Sequence, residues 1–423
     1  MHHFEYRDGE MFAEAVPLKK IAMDVGTPAY VYSLATLRRH FRVFDQAFKA
    51  VPHIVCFSVK ANSNIALLKA FAKEGSGFDI VSGGELFRAL KAGADPQKIV
   101  FSGVGKKREE IEYALNAGIL MFNVESEDEL TALNEIAGSA RKKAPVSLRI
   151  NPDVDPKTHP YISTGMKKAK FGMEIKRSVE NYRKAVSLPY LEVVGVDCHI
   201  GSQLTSVSPF VDALARVREY LERVLVGSLK KEGAEIRYLD LGGGLGISYK
   251  DETPPSPQEY ADAIIRGMEG LNVTLILEPG RVIVGNAGIF LTEVQYIKET
   301  DEKSFVIVDG GMNHLIRPAL YGSYQAIEPV VQRNGEKIVA DVVGPICESG
   351  DFFAKDREIA RPKRGDLLAV MSAGAYGFTM ASNYNSFPKP PEVLVDGDKY
   401  YVIRSRETFE DLINGETIPA VLQ

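Results

Sequence analysis

Between residues 53 and 278, short runs rich in β-branched and aromatic residues recur eight times, separated by longer stretches with helical spacing. The runs are 53–59, 77–81, 98–102, 119–124, 146–150, 193–199, 236–241 and 273–277. Most are nearly continuous in apolar residues, as a strand covered on both faces requires. The stretches between them repeat apolar residues at helical intervals, as at Ile65, Leu68, Phe71 and Ala72 after the first run and Leu86, Ala89 and Leu90 after the second. Strand alternating with helix implies parallel βαβ units. Eight such units over roughly 225 residues are the number and length that close a (β/α)8 TIM barrel. An open doubly wound sheet is the alternative, but it does not need eight repeats before the pattern changes.

The pattern changes after Glu278-Pro279-Gly280-Arg281. Helical spacing thins out, and strand-like runs at 289–297, 305–308, 337–343, 366–372, 392–395 and 400–404 dominate, with turn signals such as Asp309-Gly310-Gly311 and Asp396-Gly397-Asp398 between them. The expected organisation is a (β/α)8 barrel over 35–281 and a mostly β C-terminal domain over 282–423. The opening segment 1–34, with the strand-like Ala29-Tyr30-Val31-Tyr32, is expected to join the β domain.

Charge and cysteine content narrow the function classes. The chain has 51 basic and 56 acidic residues, a net charge of -5, whereas a nucleic-acid binder normally shows a clustered basic excess. Its short basic clusters, Lys106-Lys107-Arg108, Arg141-Lys142-Lys143 and Lys167-Lys168, read as solvated helix faces or loops. Three scattered cysteines, Cys56, Cys198 and Cys347, argue against a disulfide framework and fit a reducing cytoplasm. No C-x-x-C pair occurs, so no metal site is expected. The N-terminus lacks a signal-peptide pattern, and no apolar run reaches the roughly 18 residues of a membrane helix. Nucleic-acid and membrane partners are therefore not expected.

In a barrel of this kind chemistry gathers at the carboxyl ends of the strands. Those ends carry Lys60, Asp79 with Ser82, Ser102, Asn123 with Glu125, Asn151, His199, Gly242-Gly243-Gly244 and Glu278. Lys60 reads as a surface lysine capping a strand or as a Schiff-base lysine activated by its surroundings. The glycine run Gly242-Gly243-Gly244-Leu245-Gly246 reads as a tight turn or as a phosphate cradle. It is not G-x-G-x-x-G, and no P-loop Lys-Ser/Thr follows it, so dinucleotide and NTP binding lack support. His199 is a satisfied core histidine or an imidazole stacked on a planar cofactor. Glu278 pairs with Arg281 or faces a heteroaromatic nitrogen, and Asp79 is a buried acceptor serving Lys60 or its neighbours. The polar stretch 151–172 is a candidate lid.

Together these motifs resemble the fold-type III pyridoxal-phosphate decarboxylases, the alanine-racemase-like barrel family. The resemblance rests on Ser58-Val59-Lys60-Ala61-Asn62, Phe78-Asp79-Ile80-Val81-Ser82-Gly83-Gly84-Glu85, His199-Ile200-Gly201-Ser202-Gln203, the glycine run and Glu278-Pro279-Gly280-Arg281. It continues in the β domain with Asp309-Gly310-Gly311-Met312-Asn313, Arg317-Pro318-Ala319-Leu320-Tyr321, Gly344-Pro345-Ile346-Cys347-Glu348-Ser349-Gly350-Asp351 and Gly374-Ala375-Tyr376-Gly377.

The resemblance implies pyridoxal 5'-phosphate carried on Lys60, with His199 against its ring and Asp79 nearby. Gly243, Gly244 and Ser202, with the turn Glu278-Pro279-Gly280-Arg281, would hold the phosphate end and the ring nitrogen. A carboxylate at Glu278 favours decarboxylation, since racemases of this fold carry arginine there and so weaken the electron sink. The resemblance further implies a substrate with an amino-acid group at each end, meso-2,6-diaminopimelate. Arg281, Arg317 and Tyr321 would bind its distal carboxylate, Glu348 its distal ammonium, and Tyr376 both phosphate and substrate. Cys347 would protonate the carbanion on the face opposite Lys60; otherwise it is a small apolar side chain. Cys347, Glu348 and Tyr376 would complete the site of a second subunit, making the protein a homodimer with shared sites. The alternatives are a polyamine-pathway decarboxylase of the same fold, such as one acting on carboxynorspermidine, and a non-catalytic binding protein. Retention of Lys60, His199, Glu278 and Cys347 argues against the last.

Overall fold

The computed structural model describes residues 2–154, 170–175, 177–227 and 235–423. The chain divides into two compact units: Arg38–Ile283, and Met1–Leu37 together with Val284–Gln423.

The first unit is a closed parallel barrel. Its eight strands in chain order are His53–Ser58, Gly77–Ile80, Ile99–Phe101, Met121–Val124, Ala144–Asn151, Leu191–Asp197, Tyr238–Asp240 and Thr274–Leu277. Each pairs with the next, and the eighth returns to the first with Leu275 opposite His53. A two-residue strand, Met173–Glu174, adds to the fifth. All eight strand-like runs of the sequence are barrel strands, with ends that differ by up to two residues.

Helices connect the strands, and their first turns show why they begin where they do. Asn64 caps Ile65–Lys73 by accepting from the Ala66 amide, and Ser82 caps Gly83–Lys91 by accepting from that of Glu85. The buried face of Ile65–Lys73 is Leu67, Leu68, Ala70 and Phe71, whereas Ile65 is 41% exposed. The spacing of Ile65, Leu68 and Phe71 thus identified the helix but misplaced one edge of its buried stripe. Barrel side chains such as Phe57, Phe78, Phe101 and Phe122 are fully buried. Burial of each contributes about 1.5–3 kcal/mol.

The second unit is built on a mostly antiparallel sheet. Its central strand, Gly288–Glu299, pairs with Ala29–Ser33, Ser304–Val308 and Leu367–Val370. Ala29–Ser33, from the opening segment, lies between Gly288–Glu299 and Glu392–Asp396, antiparallel to the first and parallel to the second. The sequence reading lacked one long strand here, Phe352–Ala360, which pairs with Lys337–Val343. Its middle, Lys355-Asp356-Arg357-Glu358, breaks the apolar pattern, and Asp356 takes a φ of 47° where the ladder is irregular. Among the described residues no helix is long and apolar enough to cross a membrane.

Candidate active site

After the first barrel strand a single 3-10 turn, Val59–Ala61, carries Lys60. The second strand brings Asp79 beside it, in register with Ser58. Lys60 Nζ lies 2.6 Å from Asp79 Oδ2, and the lysine side chain is 35% exposed while Asp79 is fully buried. Ser58 Oγ sits 3.0 Å from the same carboxylate oxygen. The other oxygen, Asp79 Oδ1, is buried with no hydrogen-bond partner. Asp79 is therefore an anchor for the lysine ammonium with acceptor capacity to spare.

The ends of the sixth, seventh and eighth strands form one cradle. Gly242 and Gly244 adopt φ values of 65° and 119°, the left-handed region that favours glycine. A Cβ on Gly242 would fall on the His199 ring, one on Gly243 on the Glu278 carbonyl oxygen, and one on Gly244 would stand 2.5 Å from the Gly201 carbonyl oxygen. Only glycine lets these backbones come so close. The Glu278 amide donates to the Gly242 carbonyl at 2.8 Å, tying the seventh strand's turn to the eighth.

The Gly243 amide donates to His199 Nδ1 at 3.1 Å. An Nδ1 that accepts cannot carry a proton, so the ring is neutral with its hydrogen on Nε2. Burial, followed by the positive charges of Arg149 and Lys60, holds the His199 pKa well below the usual histidine range. Beside the cradle, Arg281 donates to Tyr249 Oη at 2.7 Å and to Ser202 Oγ at 3.0 Å.

Beneath this rim the barrel interior is acidic. Asp79, Asp197, Asp240 and Glu278 are all buried. Burial first, and then the neighbouring Asp240 and Asp79, push the Glu278 carboxyl well above its ordinary value. Asp240 is raised to about 6, chiefly by burial, against opposing hydrogen bonds from Gly242, Asn123 and Glu278. Near the carboxyl ends of the fourth, fifth and sixth strands, Arg149 pairs with Glu125 at 2.8 Å and lies 3.8 Å from Asp197.

This donor set fits pyridoxal phosphate. Lys60 would supply an amine for its aldehyde, and neutral His199 would offer a flat face without a second cation. Glu278 would supply a buried carboxyl for the ring nitrogen. The glycine turn, Ser202 and Arg281 suit a dianionic phosphate.

The remaining predicted residues belong to the β unit. Arg317 begins a short helix, Arg317–Tyr321; it is 5% exposed, and its guanidinium lies 5.6 Å from the Tyr321 ring. It is a buried cation. Cys347 and Glu348 lie exposed on a loop held by Asp351, whose carboxylate accepts from the amides of Ile346 and Met312 at 2.7 and 2.6 Å. Asn385 Oδ1 accepts from the Cys347 amide at 2.8 Å, and Tyr384 hydrogen-bonds Glu348. Tyr376 has a φ of 56°, an uncommon conformation for an aromatic residue. Cys56 and Cys198 are buried free thiols within the barrel.

Sequence reasoning missed Asp240, Asp197, Arg149 and Tyr249. The first three are charged residues inside otherwise apolar strands, and that contrast was the available signal. Tyr249 had none, because it lies beyond the glycine run and reaches Arg281 only in the fold. Of the candidate lid, residues 155–169 lie outside the described residues.

Comparison with known proteins agrees with this chemistry. Residues 34–285 match the family described as pyridoxal-dependent decarboxylase, pyridoxal binding domain. Diaminopimelate decarboxylase of Vibrio cholerae is 54% identical over 414 residues, covering 97% of this chain and 98% of the relative. That of Pseudomonas aeruginosa is 53% identical over 418 residues, 99% of each chain. Among solved structures, diaminopimelate decarboxylase from M. jannaschii in complex with L-lysine superposes with a TM-score of 0.94 at 41% identity, covering 100% of both chains. The Helicobacter pylori enzyme complexed with L-lysine gives 0.89 at 44% identity, covering 94% of this chain and 98% of that one. A likeness that runs through the barrel and the β unit alike makes this chain a member of the pyridoxal-dependent decarboxylases.

Proposed function

We propose that the protein decarboxylates meso-2,6-diaminopimelate to L-lysine and CO2. The finding that carries this reading is its full-length likeness to diaminopimelate decarboxylases, which spans the β unit as well as the barrel. When bound, pyridoxal phosphate supplies an imine-forming aldehyde and a ring that accepts the electron pair left by departing CO2. Lys60 attaches that group, and Asp79 orients its amine. Gly243, Gly244, Ser202 and Arg281 receive the phosphate, and Tyr376 reaches both phosphate and substrate. Pro279 and Gly280 shape the turn between Glu278, which faces the ring nitrogen, and Arg281. His199 covers the ring while remaining neutral.

Specificity lies in the distal end of the substrate. Arg281 and Arg317, with Tyr321, bind the distal carboxylate, and Glu348 binds the distal ammonium. A linear diamine precursor lacks that carboxylate and would bring no anion to these guanidinium groups, so it forgoes the charge-assisted hydrogen bonds that diaminopimelate gains. Arg317→Met is expected to raise KM for diaminopimelate about a hundredfold, with the visible absorbance of the bound cofactor unchanged. Steady-state kinetics and a spectrum of the same preparation check this. Offered diaminopimelate and carboxynorspermidine together, the wild-type protein is expected to consume the first; preference for the second would overturn the substrate assignment.

Cys347 Sγ delivers the proton to the carbon that has lost CO2. Because Cys347 and Glu348 are exposed, we assign them to the site of a second copy, so that a homodimer holds two shared sites. Cys347→Ala alone is expected to lower turnover about a hundredfold or more. Mixed with an inactive Lys60→Ala chain after reversible dissociation, it should recover about a quarter of wild-type activity, the share of sites built from two intact halves. No recovery in verified mixed dimers would place each site within one chain. Three separated thiols without a disulfide suit a reducing compartment, and we place the reaction in the cytoplasm.

A further inference from the structure

The seventh barrel strand ends in Asp240, a fully buried carboxyl that no step above uses. Both of its oxygens have a fixed donor. The Gly242 amide donates to Oδ1 at 2.9 Å, and Asn123 Nδ2 donates to Oδ2 at 3.1 Å. The same Asn123 Nδ2 also donates to Ser102 Oγ at 3.1 Å. Ser102, its lone pair so engaged, turns its hydroxyl toward Glu278 Oε1 at 3.4 Å. Asn123 and Ser102 thus join the two buried carboxyls in one short chain of hydrogen bonds.

Two buried carboxyl groups so close together do not both stay charged unless a cation stands beside them, so in the cofactor-free protein the pair keeps one proton. Asp240 accepts from two N–H groups that cannot be withdrawn, which makes it the anion of the pair. Among the described residues the Glu278 carboxyl accepts only from the more distant Ser102 hydroxyl, so the proton resides on Glu278. The surrounding charges are Asp79 and Asp197 with Lys60 and Arg149, and they leave this division in place. Burial and the charge on Asp240 both raise Glu278.

We propose that Asp240 is a positioning residue that loads Glu278 with the proton later carried by the cofactor's ring nitrogen. When the ring binds, the Glu278 O–H bond breaks, an N–H bond forms on the ring, and Asp240 stays anionic between Gly242 and Asn123. The ring nitrogen is thus protonated without drawing a proton from solution. The same residue ties this event to the phosphate cradle, since Asp240 holds the first amide of the glycine turn. This rests on the assignment of Glu278 to the ring nitrogen.

The test uses the cofactor-free protein and reads pyridoxal phosphate affinity against pH, from the visible absorbance that grows on binding. Ionisations of the phosphate and of Lys60 are common to all variants and cancel between them. Asp240→Asn, nearly isosteric, removes the charge that keeps Glu278 protonated. Glu278 then ionises at lower pH, and each ring bound must take a proton from solution. Between about pH 7 and 9 its Kd should rise up to about tenfold per pH unit more steeply than that of wild type. Asp240→Ser, a second neutral variant, should give the same added slope, and circular dichroism identifies whichever of the two is folded. Glu278→Gln should alter both the cofactor spectrum and its affinity. If Glu278→Gln does so while the folded Asp240 variants keep the wild-type slope, the role of Asp240 is wrong and that of Glu278 stands. If Glu278→Gln keeps the wild-type spectrum and affinity, the ring-nitrogen assignment itself fails.

Discussion

Lys60→Ala is expected to remove the visible absorbance of the bound cofactor and to lower turnover by about 10^4-fold or more, as loss of a covalent partner does elsewhere. The physical basis is the 2.6 Å contact between Lys60 Nζ and the buried Asp79 carboxylate. That contact holds the amine at the strand end. Substitution has a second consequence. Asp79 loses its 2.6 Å ammonium contact and keeps Ser58 as donor to the same oxygen. An under-satisfied buried carboxylate costs about 1–3 kcal/mol. Lys60→Ala should therefore melt below wild type, and the double variant Lys60→Ala/Asp79→Asn should regain most of that loss without regaining activity. Differential scanning calorimetry and a CO2-release assay separate the two effects. A fully active Lys60→Ala protein would end the assignment.

Gly243→Ala is the second large effect, and it acts through backbone alone. The added methyl would coincide with the Glu278 carbonyl oxygen. That carbonyl cannot swing away, because the Glu278 amide is bonded to the Gly242 carbonyl at 2.8 Å and Ser58 Oγ lies 2.9 Å from the carbonyl itself. Overpacking in a fixed core costs about 1–3 kcal/mol, and here the obstacle is main chain, so the upper end is expected. Relief requires the seventh and eighth strand ends to part, which displaces both the Gly243 amide and the Glu278 side chain. Pyridoxal phosphate affinity should fall about a hundredfold or more, as measured by titration of the cofactor-free protein. Gly105→Ala, where a Cβ would meet nothing within 4 Å, is the control and should leave affinity unchanged.

How much of this was readable in the sequence depends on how a residue announces itself. The barrel strands were legible because both faces of each are buried, so apolar runs such as Ile99–Phe101 and Met121–Val124 stand out against helical spacing. Site residues at strand ends were legible for the same reason: Lys60, His199 and Glu278 each interrupt an apolar run where the fold places chemistry. Asp240 sits one residue inside such a run, before Leu241 and the glycines, and looked like part of the strand. Its meaning comes from Asn123 and Glu278, 117 residues upstream and on the neighbouring strand, and pairing at that range is not written in local pattern. Phe352–Ala360 failed for the opposite reason, since its solvated face carries charges and its bulge breaks the alternation. Arg317 carries no local sign of burial in the sequence, and only folding reveals that it is buried.

The central claim is that one pyridoxal phosphate is attached to Lys60 at the mouth of the barrel. The most direct measurement is borohydride reduction of the cofactor-loaded protein, followed by proteolysis and mass spectrometry of the labelled peptide. A single phosphopyridoxyl group on Lys60, in the peptide containing Ser58-Val59-Lys60-Ala61-Asn62, is the predicted result. A label on any other lysine, or a loaded protein that yields none, would contradict it.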